Sequence, residues 1–334
     1  MTDISIIIPT RNRGKSLERT IRSAIDLDYP SDKYEIVIVD NASTDETREI
    51  YENVRSVAGR ERLKYIMERK IGLHHARHAG AIAAKGALLI YTDDDATFDE
   101  GWINAYATEF DRHENMQAAG GPVKAKWEVS PPQWLINYMG GNKIFPVLSI
   151  MEPFEEFVLG NEAFFFGVNM AIRRRMLFEL GGFNPELFGK VTLGDGESGL
   201  LRKLRERGAG IGYIPEATVF HHIPAGRMTL EYLCRWQDHL AGSLMYARYH
   251  DHIPDFLGLS SDLVKIARPF FGAFFREFFV RSRTDVHAVN LQTKAALGRA
   301  MLRYVFRLQF SSEVRKIVLR KNWLRPEDRE GPGV

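Results

Sequence analysis

The chain has 334 residues, of which 45% are hydrophobic and 26% charged, which is typical of one large globular domain or a domain plus an extension. The net charge of +2 gives no case for nucleic-acid binding, and a single cysteine, Cys234, excludes an intrachain disulfide framework and a cysteine zinc cluster. The first residues lack a leader pattern, and no apolar run reaches the roughly 20 residues of a bilayer span. We therefore expect a cytoplasmic protein in a reducing compartment.

Strand and helix patterns alternate in the first part of the chain. Ile4 to Ile8 predicts a buried strand closed by Pro9, and a helix with Ser16 as its N-cap is predicted to run to Ile25. The next predicted elements are strands over 35–39, 63–67 and 88–92, and helices after Asn41 and over 72–84. Such alternation favours an α/β fold with a doubly wound, mostly parallel sheet.

Three consecutive aspartates end the strand predicted over 88–92. Asp93, Asp94 and Asp95 follow an apolar run directly, and Asp40 ends the strand over 35–39. Because parallel strands share a direction, we expect both acidic ends at the carboxyl edge of the sheet, where ligands bind. Adjacent carboxylates raise one another's pKa unless a cation holds them, and a divalent ion can do this and bridge to phosphates. A solvated acidic turn is the alternative.

The chain carries neither of the usual glycine-rich phosphate motifs. There is no G-x-G-x-x-G after the first strand and no G-x-x-x-x-G-K-[ST], so neither a dinucleotide site nor a P-loop is indicated. Phosphate would have to be neutralised by a metal ion and by basic side chains.

An ordered set of short motifs over roughly the first two thirds of the chain resembles the family 2 inverting glycosyltransferases of the GT-A fold. The motifs lie at 6–13, 39–45, 72–80, 86, 92–96, 120–123, 169–171 and 181–185. Each motif is weak alone, but their order and spacing are specific. The resemblance implies transfer of a sugar from a nucleotide-diphosphate donor to an acceptor hydroxyl, with inversion at the anomeric carbon.

The resemblance also implies a nucleotide-sugar site. It would comprise Pro9, Thr10, Arg11, Asn12, Asp40, Arg77, Asp93 and Asp94. Thr10 and Arg11 would flank the nucleobase, Asp40 would accept a hydrogen bond from it, and Arg77 would lie near the uracil or diphosphate. A simple strand-end cap is the alternative for Asp40, and a surface helix charge for Arg77. His78 stands where the family usually has Asn, which leaves its role open.

A Mn²⁺ or Mg²⁺ ion is implied at the same edge of the sheet. Asp95 resembles the direct ligand, with Asp93 beside it, and His221 resembles a third contact to the metal or diphosphate. The spacing to the following Ile-Pro pair favours His221 over His222, although a surface histidine pair is the default without the family. Arg227 is expected on a lid over the diphosphate.

The catalytic base is expected in a glycine-flanked acidic loop before a helix that starts near Leu200. Inverting transfer needs a group that takes the proton of the acceptor hydroxyl. The family usually has Glu-Asp here, whereas this chain has Asp195-Gly196-Glu197; spacing places Glu197 at the base position, with Asp195 as second choice or acceptor ligand. The alternative is that both carboxylates cap the helix.

Three further stretches of the first part are read as follows. Residues 127–150 are aromatic, lack a period and predict a long loop on the acceptor side, whose rings either stack on sugars or pack the loop down. The apolar run 163–172 predicts a strand in which Gly167 allows close approach to the donor sugar. The basic run 173–175 predicts mostly solvated side chains at a helix start.

The chain changes composition near Met228. We expect a GT-A catalytic domain over 1–227 (donor binding in 1–125, acceptor side in 126–227) and a helical C-terminal extension over 228–334, with a polar, frayed end from Lys321. Helices are predicted over 230–249, 263–280 and 295–310, the last two rich in Phe and Arg. Over 263–310 they suit peripheral contact with the inner face of the cell membrane, packing on the catalytic domain, or a homodimer interface.

These patterns together predict a metal-dependent inverting glycosyltransferase. The donor would be a nucleotide-diphospho-sugar, most simply a UDP-sugar, and the acceptor a saccharide or lipid-linked hydroxyl in polysaccharide or glycolipid synthesis. The alternatives are a sugar-phosphate nucleotidylyltransferase, which would want a glycine-rich loop after the first strand, and a non-catalytic carbohydrate-binding relative.

Overall fold

The computed structural model describes residues 3–58, 62–185, 187–188, 191–281 and 283–324. Its strands are β1 Ile4–Thr10, β2 Tyr34–Asp40, β3 Leu63–Met67, β4 Leu88–Tyr91, β5 Ala96–Phe98, β6 Met116–Gly120, β7 Val123–Trp127, β8 Ile144–Phe145, β9 Ile150–Met151, β10 Val158–Leu159, β11 Met170–Arg173, β12 Leu187–Phe188, β13 Val191–Thr192, β14 Gly210–Tyr213 and β15 Val219–Ile223. Its α-helices are α1 Gly14–Ile25, α2 Thr47–Ala58, α3 Leu73–Ala83, α4 Trp102–Arg112, α5 Gln133–Met139, α6 Arg174–Glu179, α7 Gly196–Glu206, α8 Leu230–Tyr249, α9 Phe256–Ala267, α10 Phe271–Glu277, α11 Val286–Phe310 and α12 Ser312–Val318. We call residues 3–227 the sheet unit and 228–324 the helical extension.

The main sheet is mixed. In the described residues its order is β10-β14-β6-β11-β4-β1-β2-β3. The pairs β1–β2, β1–β4, β2–β3 and β6–β14 are parallel, whereas β11 runs antiparallel between β4 and β6, and β10 is antiparallel to β14. The predicted α/β fold with a helical extension is confirmed, and the reversed β11 makes the sheet less uniformly parallel than the alternation suggested. A second sheet has the order β5-β15-β7-β9-β8.

The first strands form the centre of the core. Every residue of β1 and β2 is buried, as their β-branched runs predict. Helix α3 lies directly on these strands at Gly80, where a Cβ would overlap Ile7. The α1 start differs from prediction: Ser16 lies inside the helix, Arg13 is the N-cap residue, and Asp45 accepts the N–H of Gly14 at 3.3 Å. A neighbouring loop therefore caps α1 in place of its own serine.

Asn169 joins the two sheets at one buried amide. Its Oδ1 accepts from Trp102 Nε1 at 2.9 Å and from the Tyr106 hydroxyl at 2.7 Å. Its Nδ2 donates to the carbonyls of Pro122 at 2.9 Å and Ala217 at 2.7 Å. Both acceptor and both donor positions of the amide are thus used, which fixes α4 and the entries to β7 and β15 around the start of β11.

Three predictions for the sheet unit need correction. Residues 127–150 are not one irregular loop, because they contain α5, β8 and a 3₁₀ turn at Pro146–Leu148. The apolar run 163–172 was predicted as one strand, but the observed strand is shorter and spans Met170–Arg173. Arg175 is exposed as predicted, but Arg173 and Arg174 are half-buried: Arg173 donates to the carbonyls of Met116 and Phe110, and Arg174 donates to that of Ala81.

The helical extension packs around α11, which contacts α8, α9 and α10. Helix α8 has the predicted bounds, whereas the predicted helix 263–280 is divided among α9, α10 and 3₁₀ turns at Arg268–Phe270 and Phe278–Val280. Lys321 to Leu324 are anchored to the sheet unit, since Leu324 is buried and donates its N–H to the Gly181 carbonyl, so this part of the predicted frayed end is wrong. Residues 325–334 lie outside the described residues.

The boundary predicted at residue 227 stays a prediction. One apolar cluster contains Leu135 and Ile223 of the sheet unit together with Leu233 and Val289 of the helical extension. Apolar packing therefore continues across that position. Among the described residues, no helix has the length and hydropathy that a membrane span requires.

Candidate active site

The acidic strand ends meet at one edge of the sheet, as expected from their common direction. Strand β1 lies between β2 and β4, and the register pairs Thr10 with Asp40 and Ile7 with Tyr91. The Asp93–Asp95 run leaves β4 at this edge, and Thr10 Oγ1 donates to Asp94 Oδ2 at 2.7 Å. The solvated-turn alternative fails for two of the three acids, because Asp94 is 4% exposed and Asp95 is 2% exposed.

Arg13 forms ion pairs with both buried aspartates. Its Nη1 lies 2.7 Å from Asp94 Oδ1, and its Nη2 lies 2.7 Å from Asp95 Oδ2. Burial raises the pKa of Asp94 to about 7, against the attraction of Arg13. Burial also disfavours the charged form of Asp95, but attraction to His221 in its charged form, to Arg227 and to Arg13 outweighs it and lowers the pKa of this carboxyl. Of the two buried aspartates, Asp95 is therefore the one that the site holds ionised.

His221 and Asp95 lie side by side. The His221 ring is fully buried on β15, and its Nδ1 donates to the Leu148 carbonyl at 2.9 Å. A carbonyl only accepts, so in the neutral ring Nε2 carries the lone pair; it accepts from Arg227 Nη1 at 2.7 Å. Nε2 is also 3.5 Å from Asp95 Oδ1, and Arg227 Nη2 donates to Asp95 Oδ2 at 2.9 Å.

This pair has the donor set of a divalent cation. Asp95 Oδ1 is buried and accepts no hydrogen bond within the described chain, and the carbonyl behind His221 fixes the tautomer that a metal ligand needs. A carboxylate oxygen suits Mn²⁺ and Mg²⁺, and a neutral imidazole nitrogen is a common ligand of divalent transition metals. Asp93 faces Arg77, and no group of three or more His, Cys, Asp or Glu side chains that could hold a metal ion occurs in the described part of the chain. The residues thus fit a cation at Asp95 and His221.

Arg77 links Asp93 to the predicted base. The guanidinium is 1% exposed, which excludes a surface helix charge, and its Nη1 lies 2.6 Å from Glu197 Oε1. Its Nη2 lies 3.4 Å from Asp93 Oδ1. Burial raises the pKa of Glu197, but Arg77 outweighs it and lowers that pKa to about 2; burial raises the pKa of Asp93. Glu197 is therefore ionised at neutral pH and paired.

Gly167 makes room for this ion pair. A Cβ at Gly167 would overlap Glu197 Oε1 and Arg77 Nη2. Sequence reasoning expected this glycine to admit a donor sugar, whereas in the structure it admits a guanidinium and a carboxylate.

Asp195 is committed to other partners. Its Oδ1 accepts from Asn184 Nδ2 at 2.8 Å, and its Oδ2 accepts from Arg202 at 2.9 Å. It occupies the N-cap position of α7, but its side chain accepts no helix N–H. Of the two acids in this loop, Glu197 reaches the strand-end carboxylates through Arg77, and Asp195 is held by α7 and the residues before it.

Asp40 and the loop after β1 are tied together by backbone groups. Asp40 accepts from the Ser43 N–H at 2.8 Å and from the Tyr65 hydroxyl. Asn12, in a left-handed conformation with φ of 54°, accepts from the Thr44 N–H at 2.7 Å, and Pro9 is buried within β1. Arg11 is exposed. These residues brace the loops after β1 and β2 against each other at the edge where the acids lie.

Two arginines and one histidine were missed or left open by sequence reasoning. Arg13 was assigned no role and Arg227 was expected only on a lid, yet both bind Asp95. The sequence did contain a signal for them, because three adjacent carboxylates need cationic partners. His78 accepts the N–H of Phe183 at 2.9 Å, so its role is to hold the turn at Phe183 against α3.

A family model described as Glycosyl transferase family 2 matches residues 5–181, more than half of the chain. The chain belongs to glycosyl transferase family 2. The match includes the edge with Asp40 and Asp93–Asp95 and ends before Glu197 and His221. The resemblance seen in the sequence motifs is thereby confirmed.

Curated relatives of this family 2 protein align over part of their length. Validoxylamine A glucosyltransferase of Streptomyces hygroscopicus subsp. jinggangensis is 36% identical over 125 residues, which are 37% of this chain and 27% of the relative. Glycosyltransferase AglE of Haloferax volcanii is 30% identical over 101 residues, 30% of this chain and 33% of the relative. The chain thus spans about a third or less of these relatives.

Solved structures show the GT-A fold over most of the chain. S. aureus TarS 1-349 in complex with UDP-GlcNAc has a TM-score of 0.52 at 17% identity, covering 93% of each chain. Mannosyltransferase PcManGT from Pyrobaculum calidifontis, in complex with GDP-Man and Mn²⁺, has a TM-score of 0.54 at 19% identity, covering 97% of this chain and 87% of the neighbour. The predicted GT-A fold is confirmed.

Proposed function

We propose that this family 2 protein is a metal-dependent inverting glycosyltransferase. It transfers a sugar from a UDP-sugar to a hydroxyl of a saccharide or lipid-linked acceptor, in polysaccharide or glycolipid synthesis. The observation that carries the proposal is a group of charges along one sheet edge, in which Asp95 lies beside His221 while Arg77 joins Asp93 to Glu197.

The donor diphosphate is the ligand that fits the arginines of this edge. Arg13 and Arg227 both contact Asp95 through exchangeable ion pairs, and guanidinium groups bind phosphate oxygens in a bidentate manner. Asp95 and His221 would hold Mn²⁺ or Mg²⁺, which when bound supplies positive charge to the leaving diphosphate. On binding of the donor, the two arginines would exchange the Asp95 carboxylate for phosphate.

Glu197 is the proposed base. The acceptor oxygen forms its bond to the anomeric carbon, the bond from that carbon to the diphosphate breaks, and the hydroxyl proton passes to a Glu197 oxygen. The nucleoside diphosphate leaves with the bonding electron pair. Arg77 keeps Glu197 ionised before reaction, and loosening of that pair raises the proton affinity of the carboxylate.

The comparisons support the donor class and leave the acceptor broad. The neighbours hold UDP-GlcNAc in one case and GDP-Man with Mn²⁺ in the other. A relative from Campylobacter jejuni, 26% identical over 184 residues that are 49% of this chain and 58% of its own, is named GalNAc(5)-diNAcBac-PP-undecaprenol beta-1,3-glucosyltransferase. Family membership disfavours the nucleotidylyltransferase alternative.

Calorimetric titration with UDP, GDP and dTDP tests the proposal, each with Mn²⁺ and then with EDTA. We expect UDP to bind with Mn²⁺ present and its affinity to fall at least about tenfold with EDTA or in Asp95→Ala. Glu100→Ala, an exposed acid in the next turn, is the matched control and should bind as the native chain does. Absence of binding for all three nucleotides would support the non-catalytic alternative, and preference for GDP would overturn the UDP assignment.

A further inference from the structure

The helical extension carries an apolar stripe on its outside. From α9 through α10 to Arg281 the residues at the junctions keep right-handed helical φ and ψ, so positions seven apart share a face. Four exposed apolar side chains follow this spacing, and two more, Phe275 and Phe279, follow Phe271 at steps of four residues. This phenylalanine stripe consists of Leu257 (76% exposed), Val264 (70%), Phe271 (75%), Phe275 (70%), Phe278 (74%) and Phe279 (68%).

Core packing does not account for the stripe, because the opposite face of the same helices already fills the core. Leu259, Ile266, Ala273 and Val280, also seven residues apart, are all buried. A helix at a protein surface normally presents polar residues on the side away from the core. Single exposed apolar residues are ordinary, but a contiguous apolar surface marks an interaction site.

A second aromatic group extends the apolar surface onto α11. Phe306 and Phe310 are 56% and 61% exposed, and their ring centroids are 4.6 Å apart. Phe256 at the start of α9 lies 5.9 Å from Phe310. Large exposed rings therefore occur at both ends of the α9–α10 segment.

Basic residues accompany the stripe. The segment 263–283 contains five Lys and Arg residues and a single acid, Glu277, which is paired with Arg299. The side chains of Lys265, Arg276 and Arg281 are exposed. Arg276 and Arg281 form no ion pair with any residue in the described ranges.

We infer that the phenylalanine stripe lies on an anionic lipid surface. The rings would enter the boundary between headgroups and acyl chains, and the exposed cations would contact lipid phosphates. A second copy of the chain fits less well, because it would bring two basic segments together across the contact.

Cosedimentation of the full chain with lipid vesicles tests this inference separately from sugar transfer. Vesicles of phosphatidylcholine with about 30% phosphatidylglycerol should retain the protein, and pure phosphatidylcholine should retain much less. The variant Phe271→Ser/Phe275→Ser/Phe278→Ser should bind the anionic vesicles at least about tenfold more weakly. In Arg276→Glu/Arg281→Glu the affinity for anionic vesicles should fall about fivefold or more per charge, and the difference from the native chain should shrink at high salt.

Matched controls separate the stripe from general surface effects. Leu319→Ser removes an exposed leucine elsewhere in the helical extension, and Arg112→Glu reverses an exposed arginine of the sheet unit; both should bind as the native chain does. Circular dichroism should be unchanged in the serine variant. Equal binding of the native chain and the serine variant would overturn the inference. So would failure to bind anionic vesicles combined with a dimer, seen by sedimentation, that the serine variant abolishes.

Discussion

The sheet unit and the helical extension depart from the usual distribution of residues in opposite directions. In the sheet unit Arg77, Asp94 and Asp95 are almost completely buried. In the helical extension Phe271 and Phe278 are about three-quarters exposed. Charged groups normally stay in water and large apolar side chains normally pack inside.

The two regions differ in the contacts that a binding partner would replace: ion pairs in the sheet unit and water in the helical extension. The buried charges are paired with one another, and when an anionic ligand replaces a carboxylate partner the arginine keeps an opposite charge beside it. The exposed rings contact water, so moving them from water into an apolar phase lowers the free energy. We infer that the first pattern suits a charged small ligand and the second an extended apolar surface.

Removal of the predicted base should have the largest effect, and it tests whether the buried charges of the sheet unit serve sugar transfer. Glu197→Gln keeps the size of the side chain and its oxygen near Arg77 but removes the proton acceptor, so we expect transfer to fall by about 10²–10⁴-fold with nucleotide affinity within about threefold. Radiolabelled sugar transfer and calorimetric titration measure the two effects. Glu206→Gln, exposed on the same helix, is the control. Turnover at the native rate in Glu197→Gln would show that another group is the base.

A smaller loss should follow from filling the space over the ion pair. Gly167→Ala introduces a Cβ that overlaps both Glu197 Oε1 and Arg77 Nη2, so we expect about 10- to 100-fold slower transfer through displacement of the base. Gly272→Ala, where nothing lies within 4 Å of the new Cβ, should leave transfer unchanged. Native activity in Gly167→Ala would mean that the Arg77–Glu197 pair is not needed in its observed place.

The smallest expected effect is on stability, and it comes from the neutral histidines under α3. Burial lowers the pKa of His78 well below its usual value, and burial with Arg77 lowers that of His74 to about 3. The unfolded imidazole takes up a proton below about pH 6.5 whereas the folded one does not, so stability should fall as the pH drops from 7 to 5. For His78 this loss is about 2 kcal/mol at pH 5.

Urea unfolding of His78→Gln measures this contribution. Glutamine retains an oxygen that can accept the Phe183 N–H and removes the titrating group, so the stability difference between pH 7 and pH 5 should shrink. His252→Gln, an exposed imidazole, is the control. An unchanged pH dependence in His78→Gln would contradict the buried, neutral state of His78.

The regular parts of the fold were accessible from the sequence. Strands β1, β2 and β4 each contain an apolar run that is followed within two residues by Pro or Asp, and α8 has a clear start and end, so local patterns were enough. Residues 127–150 were not, because α5 spans seven residues and the strands there only two, too short for any period. The direction of β11 depends on its neighbours β4 and β6, which a local pattern does not encode.

The site was accessible in part for the same reason. The positions of Asp40 and Asp94 at one edge follow from the common direction of parallel strands alone. The partners of Asp95 could not be predicted in this way, because Arg13 reaches it from α1 and Arg227 reaches it from the segment before α8. Such pairs depend on tertiary contacts between distant residues. His78 shows the converse, because a departure from a motif proved to serve the turn at Phe183.

Asn169 sets a limit on how far this sequence can change. Its position requires two donors and two acceptors on one short, planar group. Ionised Asp offers no donor, His offers one of each when neutral, and Gln carries its amide one methylene further out. Asparagine is thus the one standard side chain that meets the requirement at that reach, whereas an exposed position such as Arg11 accepts many. We therefore expect position 169, where one amide joins two sheets, to tolerate substitution far less than an exposed position does.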